Sequence, residues 1–341
     1  MKKLRIAIVG ASGVVGRELI TILEDSRLKI ASLELFGSEK SAGEEIDFLE
    51  DSLKVTELTH EEQIQADIVF FAAASAVSLR FAEKLAGRGV ICIDKSSAFR
   101  MMRDVPLVAS GVNDDAIGDV SEGKIIASPN CVAVPLVQVL MPIQKLWGLK
   151  QVVVSTYQAV SGAGKEGTDE LETQVRDLFN MREVKSPVFK KRIAFNVLPW
   201  IPASSKANQN GHSEEEEKLI EETKKILGVP NLAMDATCVR VPVFNGHSMS
   251  AFIETEKPVD LEQAKLSIAK VHGVVVKDDP SVSVYPNPLE ASGKDFTMVG
   301  RMRANTSVKN GISLWISSDN LRTGAALNAV RIAETINTLV K

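Results

Sequence analysis

Leu4-Arg-Ile-Ala-Ile-Val-Gly-Ala-Ser-Gly-Val-Val-Gly16 is the stretch that decides the fold. Leu4 to Val9 is almost wholly apolar and predicts a short buried strand, and a helical pattern follows with Leu19, Ile20, Ile22 and Leu23 on one stripe. Between them stand Gly10, Gly13 and Gly16, spaced Gly-x-x-Gly-x-x-Gly. Small residues let the backbone approach a pyrophosphate, and the helix N-terminus offers unpaired N–H groups and positive potential. A plain structural turn can carry the same glycines, but the strand before and the helix after favour a nucleotide. The candidate cofactor contacts are Gly10, Ser12, Gly13, Val14, Val15 and Gly16.

Working outward, further strand-like runs are Ile30 to Phe36, Ile68 to Ala74, Val90 to Asp94 and Lys124 to Ala127, with a helical segment from Val77 to Leu85. Alternating strands and helices imply a doubly wound parallel sheet of the Rossmann type, with right-handed crossovers. Beyond about residue 128 the pattern changes. Val152 to Val160, Ala236 to Val243, Ser248 to Thr255 and Ser313 to Ser317 read as strands of a second, mixed or antiparallel sheet. The last segment, Leu321 to Val340, reads as a helix with Ala325, Ala329, Ile332, Ala333, Ile336 and Leu339 on one face. The expected division is a nucleotide-binding domain of residues 1–127 plus 321–341, and an α+β catalytic and dimerisation domain of residues 128–320.

At 341 residues the chain exceeds the usual size of one core, in keeping with two domains. A net charge of −4 gives no reason to expect nucleic acid or an anionic membrane as partner. No uncharged run approaches transmembrane length and the N-terminus does not read as a signal peptide, so a cytoplasmic protein is expected. Three widely spaced cysteines cannot make a disulfide framework or a clustered metal site. Cys92 and Cys238 lie in apolar runs and read as inert buried thiols.

Cofactor choice is read at the end of the second strand. An acidic residue there suits the ribose 2′-hydroxyl of NAD, whereas hydroxyls and a cation suit the 2′-phosphate of NADP. Ser38, Lys40 and Ser41 favour NADP(H); Glu39 stands among them.

Cys131 follows Ser128-Pro-Asn and precedes the apolar run Val132 to Met141, which places it near a helix N-terminus that lowers a thiol's pKa. His247 lies on the turn Val243-Phe-Asn-Gly-His-Ser248, a candidate general base, although a satisfied loop histidine fits the spacing equally. Ser213 and Glu216 form a capping-box pattern opening a helix. On it Glu215 and Lys218 share a face, a spacing that also suits a solvated ion pair.

Together these segments resemble the aspartate-semialdehyde dehydrogenase family over nearly the whole chain. The match is carried by Gly10–Gly16, Ser96-Ser-Ala-Phe-Arg100, Pro129-Asn-Cys131, Tyr157-Gln-Ala-Val-Ser-Gly-Ala-Gly164, Ile193-Ala-Phe-Asn-Val-Leu-Pro199, Asn210-Gly-His-Ser-Glu-Glu, Arg240 to His247 and Ser318-Asp-Asn-Leu-Arg-x-Gly-Ala-Ala326. The resemblance implies that Cys131 is the nucleophile that becomes a thioester, with His247 its acid–base partner and Gln158 orienting the acyl group. It also implies Arg240 on the substrate carboxylate, Glu215 on its ammonium, Asn130 among the substrate contacts, and Arg100 and Lys218 on phosphate. Ser161, Gly162 and Asn320 would contact the cofactor. The implied reaction is reduction of L-aspartyl-4-phosphate by NADPH to aspartate 4-semialdehyde and phosphate, by a metal-free homodimer, on the route to lysine, threonine, methionine and diaminopimelate. The chain departs from the family pattern at Lys95, at Ala109-Ser-Gly111 and at Met249. An N-acetyl-glutamyl-phosphate reductase would lack the Glu215–Lys218 pair and the Arg240–His247 spacing; a catalytically silent homologue would be expected to lack Cys131.

Overall fold

A computed structural model of the chain describes residues 3–120, 122–201 and 209–339. The chain divides into two compact units, one running to Asn130 and resuming at Ala325, the other Cys131–Gly324.

In the first unit the elements run β1 (Leu4–Val9), α1 (Val14–Glu24), β2 (Ile30–Gly37), β3 (Glu45–Phe48), β4 (Asp51–Glu57), β5 (Ile68–Phe71), α2 (Ser75–Ala86), β6 (Ile91–Asp94) and β7 (Lys124–Ala127). They form one sheet in the order β3-β4-β2-β1-β5-β6-β7, parallel throughout except for the antiparallel β3–β4 edge. The fully buried β5, Ile-Val-Phe-Phe, lies beside β1 as expected of a sheet covered on both faces. It ends at Phe71 rather than Ala74, because α2 already opens at Ser75. The β3–β4 hairpin is not foreseen by the sequence reading. Its β3 alternates exposed and buried residues, so two charged side chains mask a short edge strand.

The glycine turn packs tightly. A Cβ on Gly16 would stand 2.8 Å from Ala11 Cα and would overlap the Gly10 carbonyl outright, so only glycine lets α1 start against the end of β1.

The second unit continues with α3 (Ala133–Trp147), β8 (Leu149–Gln158), α4 (Gly164–Phe179), α5 (Glu214–Leu227), β9 (Ala233–Arg240), β10 (His247–Thr255), α6 (Leu261–Ala269), β11 (Val274–Val276), α7 (Pro288–Ala291), β12 (Thr297–Asn305) and β13 (Gly311–Ser318). Its sheet has the order β11-β12-β13-β10-β8-β9. The β8–β9 and β11–β12 pairs are parallel and the others antiparallel, so the sheet is mixed. β12 and β11 are absent from the sequence reading; the interleaved Arg301 and Arg303 make β12 read as polar chain. Helix α3 is apolar nearly all round and is correspondingly buried.

The predicted helix from Leu321 begins later. Arg322–Ala326 forms a π-helical turn, and the regular helix α8 spans Leu327–Leu339; Val340 lies outside the described residues. In the first unit's core Ala329, Ile332, Ala333 and Ile336 of α8 join Leu19 and Leu23 of α1 and Ile6 and Ile8 of β1. No helix among the described residues is long and apolar enough to cross a membrane.

Candidate active site

Four side chains form one row across the end of the second sheet. Arg240, the last residue of β9, is the register partner of Gln158, the last of β8. On the other side of β8, Ser248 pairs with Tyr157, which brings the adjacent His247, the first residue of β10, level with Gln158. His247 in turn pairs with Ser318, the last of β13. Residues in one row share a face of the sheet, and all four are buried.

Each is held by named partners. Thr156 donates to Gln158 Oε1 at 3.0 Å, which turns the amide so that Nε2 donates to Glu215 at 3.0 Å. Glu215 is placed by the start of α5. Ser213 and Glu216 close the reciprocal capping box foreseen from the sequence, and Glu216 also accepts from the Cys238 backbone N–H of β9 at 2.9 Å. The four glutamates of this first turn suit the positive end of the helix dipole. Lys218 pairs with Glu214 at 2.5 Å, not with Glu215, which leaves Glu215 turned to Gln158.

Ala159 organises the centre. Its carbonyl accepts from Arg240 Nη1 at 2.7 Å, and its N–H donates to His247 Nδ1 at 3.0 Å. His247 Nε2 is fully buried and has no hydrogen-bond partner among the described residues. Burial holds the imidazole well below its ordinary value and the Arg240 charge adds to this; an opposing contribution comes from the Gly246 backbone. Burial also lowers Arg240, against the opposing pull of Glu215 and then of Cys131 and Cys238. Arg240 therefore lies within electrostatic reach of both the histidine and Cys131.

Cys131 stands two residues before α3 and is half-buried. Gly324 lies against it; a Cβ there would come within 2.6 Å of the Cys131 carbonyl oxygen and 3.0 Å of its Cβ. The other two cysteines are buried, and burial pushes Cys92 up to about 12 and raises Cys238 as well, so both stay protonated thiols.

Ser161, Gly162 and Asn320 gather beside the row. Asn320 Nδ2 donates to Ser161 Oγ at 3.0 Å, Ser161 Oγ lies 3.1 Å from Asn245 Oδ1, and Asn320 Oδ1 accepts from Gly246 N–H at 2.9 Å. Gly162 leaves open the space next to Arg240 and His247. A Cβ there would stand 2.8 Å from Arg240 Nη1 and 3.4 Å from His247 Nε2. The sequence reading gave no part to Asn245 or Asp319, yet Asp319 accepts from Asn245, Gly293, Leu321 and Arg322 and so fixes the turn carrying Asn320. The signal was present in Ser318-Asp-Asn320, since an aspartate commonly caps backbone N–H groups two and three residues on.

In the first unit a cavity of about 590 Å³ is lined by Gly10, Ser12 and Gly13 together with Ser38, Glu39, Glu57, Ala72, Ala73 and Arg80. It lies against the N-terminus of α1, where Val14, Val15 and Gly16 form the first turn. Its size and donors fit part of a dinucleotide. Lys40 and Ser41 are not among its lining residues, and Ser41 instead donates to Ser38 O at 3.1 Å. Arg80, which the sequence reading did not weigh, is the lining residue with a guanidinium. Arg100 is buried and donates to Ser128 O at 3.0 Å and Lys95 O at 2.6 Å, while Lys95 donates to Pro129 O at 2.9 Å. These bonds fix the turn that ends in the buried Asn130.

A parallel sheet opening on a glycine-rich turn in one unit, and a buried row of arginine, glutamine and histidine across the end of the mixed sheet in the other, are the features of an oxidoreductase built from a nucleotide-binding domain and a second α+β domain. The profile described as "Semialdehyde dehydrogenase, NAD binding domain" matches residues 5–120, and "Semialdehyde dehydrogenase, dimerisation domain" matches residues 140–323. The chain belongs to the semialdehyde dehydrogenase family. It is 42% identical to aspartate-semialdehyde dehydrogenase of Aquifex aeolicus over 97% of both chains. It is likewise 42% identical to that of Bacillus subtilis over 98% of both. The solved structure of aspartate semialdehyde dehydrogenase II from Vibrio cholerae is 36% identical and covers both chains completely, with a TM-score of 0.95.

Proposed function

We propose that the chain reduces L-aspartyl-4-phosphate to aspartate 4-semialdehyde and phosphate with NADPH, through a thioester on Cys131. The single observation that carries this is the row of Arg240, Gln158 and His247, with Arg240 in electrostatic reach of Cys131. A planar guanidinium takes a carboxylate in a two-pronged grip that lysine cannot match. Arg240 therefore holds the α-carboxylate, Glu215 the ammonium, and Gln158, itself bonded to Glu215, the acyl group. Cys131 attacks the acyl carbon and phosphate leaves, with Arg100 and Lys218 as the cations that take it up. His247 stands beside the reacting centre as the partner of the thiol.

The dinucleotide, held by the Gly10–Gly16 turn, would supply the hydride. Ser161, Gly162 and Asn320 are its contacts in the catalytic unit. The dimerisation-domain match over residues 140–323 supports a homodimer formed through this unit. The test is to mix the protein with aspartate semialdehyde and phosphate and follow reduced-nucleotide absorbance with NADP and with NAD. Phosphate-dependent growth with NADP is expected; none with either nucleotide rejects the reading. The Vibrio cholerae structure solved in complex with ASA supports the same choice of ligand.

A further inference from the structure

We propose that the Arg80 guanidinium is a stacking platform for the adenine ring of the dinucleotide, held in place by the Phe81 ring on one face and by the Thr59 carbonyl at one edge. The inference rests on the nucleotide site proposed at the Gly10–Gly16 turn and names what receives the purine there.

Arg80 lies on α2 one turn beyond Ala76 and Val77, so the three share a face of that helix, and all three line the cavity. Its Cζ stands over the Phe81 ring, 4.7 Å from the centroid, and its Nη2 donates to Thr59 O at 3.0 Å. Phe81 is itself buried, which makes its ring a fixed support. One face and one edge of the guanidinium are therefore taken, and the exposed remainder of the planar group lines the cavity. A guanidinium stacks on aromatic faces, and nucleic-acid bases are received on such planes.

The lining chemistry separates a purine from a phosphate at this point. Leu58, Ala72, Ala73, Ala76 and Val77 give the cavity an apolar wall, and none of them is fully buried, so a ring laid there would cover apolar surface. The charged lining residues are Arg80, Glu39 and Glu57, one cation against two carboxylates. A phosphate on Arg80 would enter a surround of net negative charge. An uncharged purine offers the cation its π face and gives the carboxylates nothing to repel. The pyrophosphate has its own donors at the N-terminus of α1.

Calorimetric titration of the full-length protein with NADP and with NAD tests this, because the two share the adenine and differ in the 2′-phosphate. Arg80→Ala should weaken both by the same factor, about 3- to 30-fold, the span of a cation–π contact from exposed to desolvated. Arg80→Tyr keeps a planar group without the charge, and Arg80→Lys keeps the charge without the plane. Tyrosine should bind both nucleotides more tightly than lysine does. A loss confined to NADP, or a lysine variant equal to wild type, would make Arg80 a phosphate ligand and overturn the proposal. Unchanged affinities in Arg80→Ala, or tyrosine no tighter than lysine, overturn it too. Wild-type protein that binds neither nucleotide removes the nucleotide site and this proposal with it, whereas normal wild-type binding with unaffected variants removes the platform alone.

Discussion

Replacing Gly162 by alanine should weaken substrate handling while leaving the nucleotide site of the first unit intact. The new Cβ would stand 2.8 Å from Arg240 Nη1. Comfortable carbon–nitrogen contact needs about 3.5 Å, so the guanidinium or the turn has to yield by roughly 0.7 Å. Arg240 has little room to do so, being buried and tied through the same Nη1 to Ala159 O at 2.7 Å. A misplacement approaching 1 Å costs up to about 10²-fold in rate, and a fall in kcat/KM of about 30- to 100-fold is expected, equivalent to about 2–2.7 kcal/mol. Overpacking adds a stability loss of about 1–3 kcal/mol. Initial rates across a range of aspartate semialdehyde concentrations give kcat and KM, and fluorescence titration gives the nucleotide Kd. If kcat and KM stay within twofold of wild type, the crowding argument is wrong. If only the nucleotide Kd moves, Gly162 is a cofactor contact alone.

Cys131→Ala should abolish phosphate-dependent NADP reduction and keep NADP binding; residual turnover at wild-type level would remove the thioester. Arg240→Lys should raise the KM for aspartate semialdehyde about tenfold or more, because the planar fork and the bond to Ala159 O cannot both be kept, and an unchanged KM would show that another group holds the carboxylate. Acid sensitivity should trace in part to His247. The folded chain holds this ring neutral, whereas the unfolded chain protonates it as pH falls through about 6.5. The unfolded state then binds the extra proton, so the contribution to stability is complete above that pH and falls by at most about 1.4 kcal/mol per pH unit below it. Denaturant midpoints of wild type should therefore drop toward those of His247→Gln between about pH 7.5 and 5, and two parallel curves would contradict the assignment.

The first sheet was legible wherever burial wrote itself into composition. β1, β5 and β6 are short apolar runs, and the turn from Gly10 to Gly16 needs its glycines for contact reasons that act locally. β3 and β12 were not legible, because charged residues alternate with buried ones and break any run. The helix expected from Leu321 began six residues late, since a π-helical turn keeps helical composition while changing the hydrogen bonds. In the second unit the motifs around Gln158, Arg240 and His247 were visible one by one. Their alignment was not, because it depends on the register of strands far apart in sequence. The spacing of Glu215 and Lys218 suggested a pair, yet Lys218 turned to Glu214, the i−4 neighbour that a helix brings equally near.

Because Arg240, Gln158, His247 and Ser318 occupy one row of hydrogen-bonded strands, chemistry and folding are checked by the same ruler. A one-residue slip in β8, β9 or β10 would turn its member of the row to the opposite face, and would also send that strand's apolar side chains to the wrong side. A chain that misaligns these four side chains in this way also fails to bury its core, so faulty assembly is exposed as instability rather than persisting as a folded but inert enzyme.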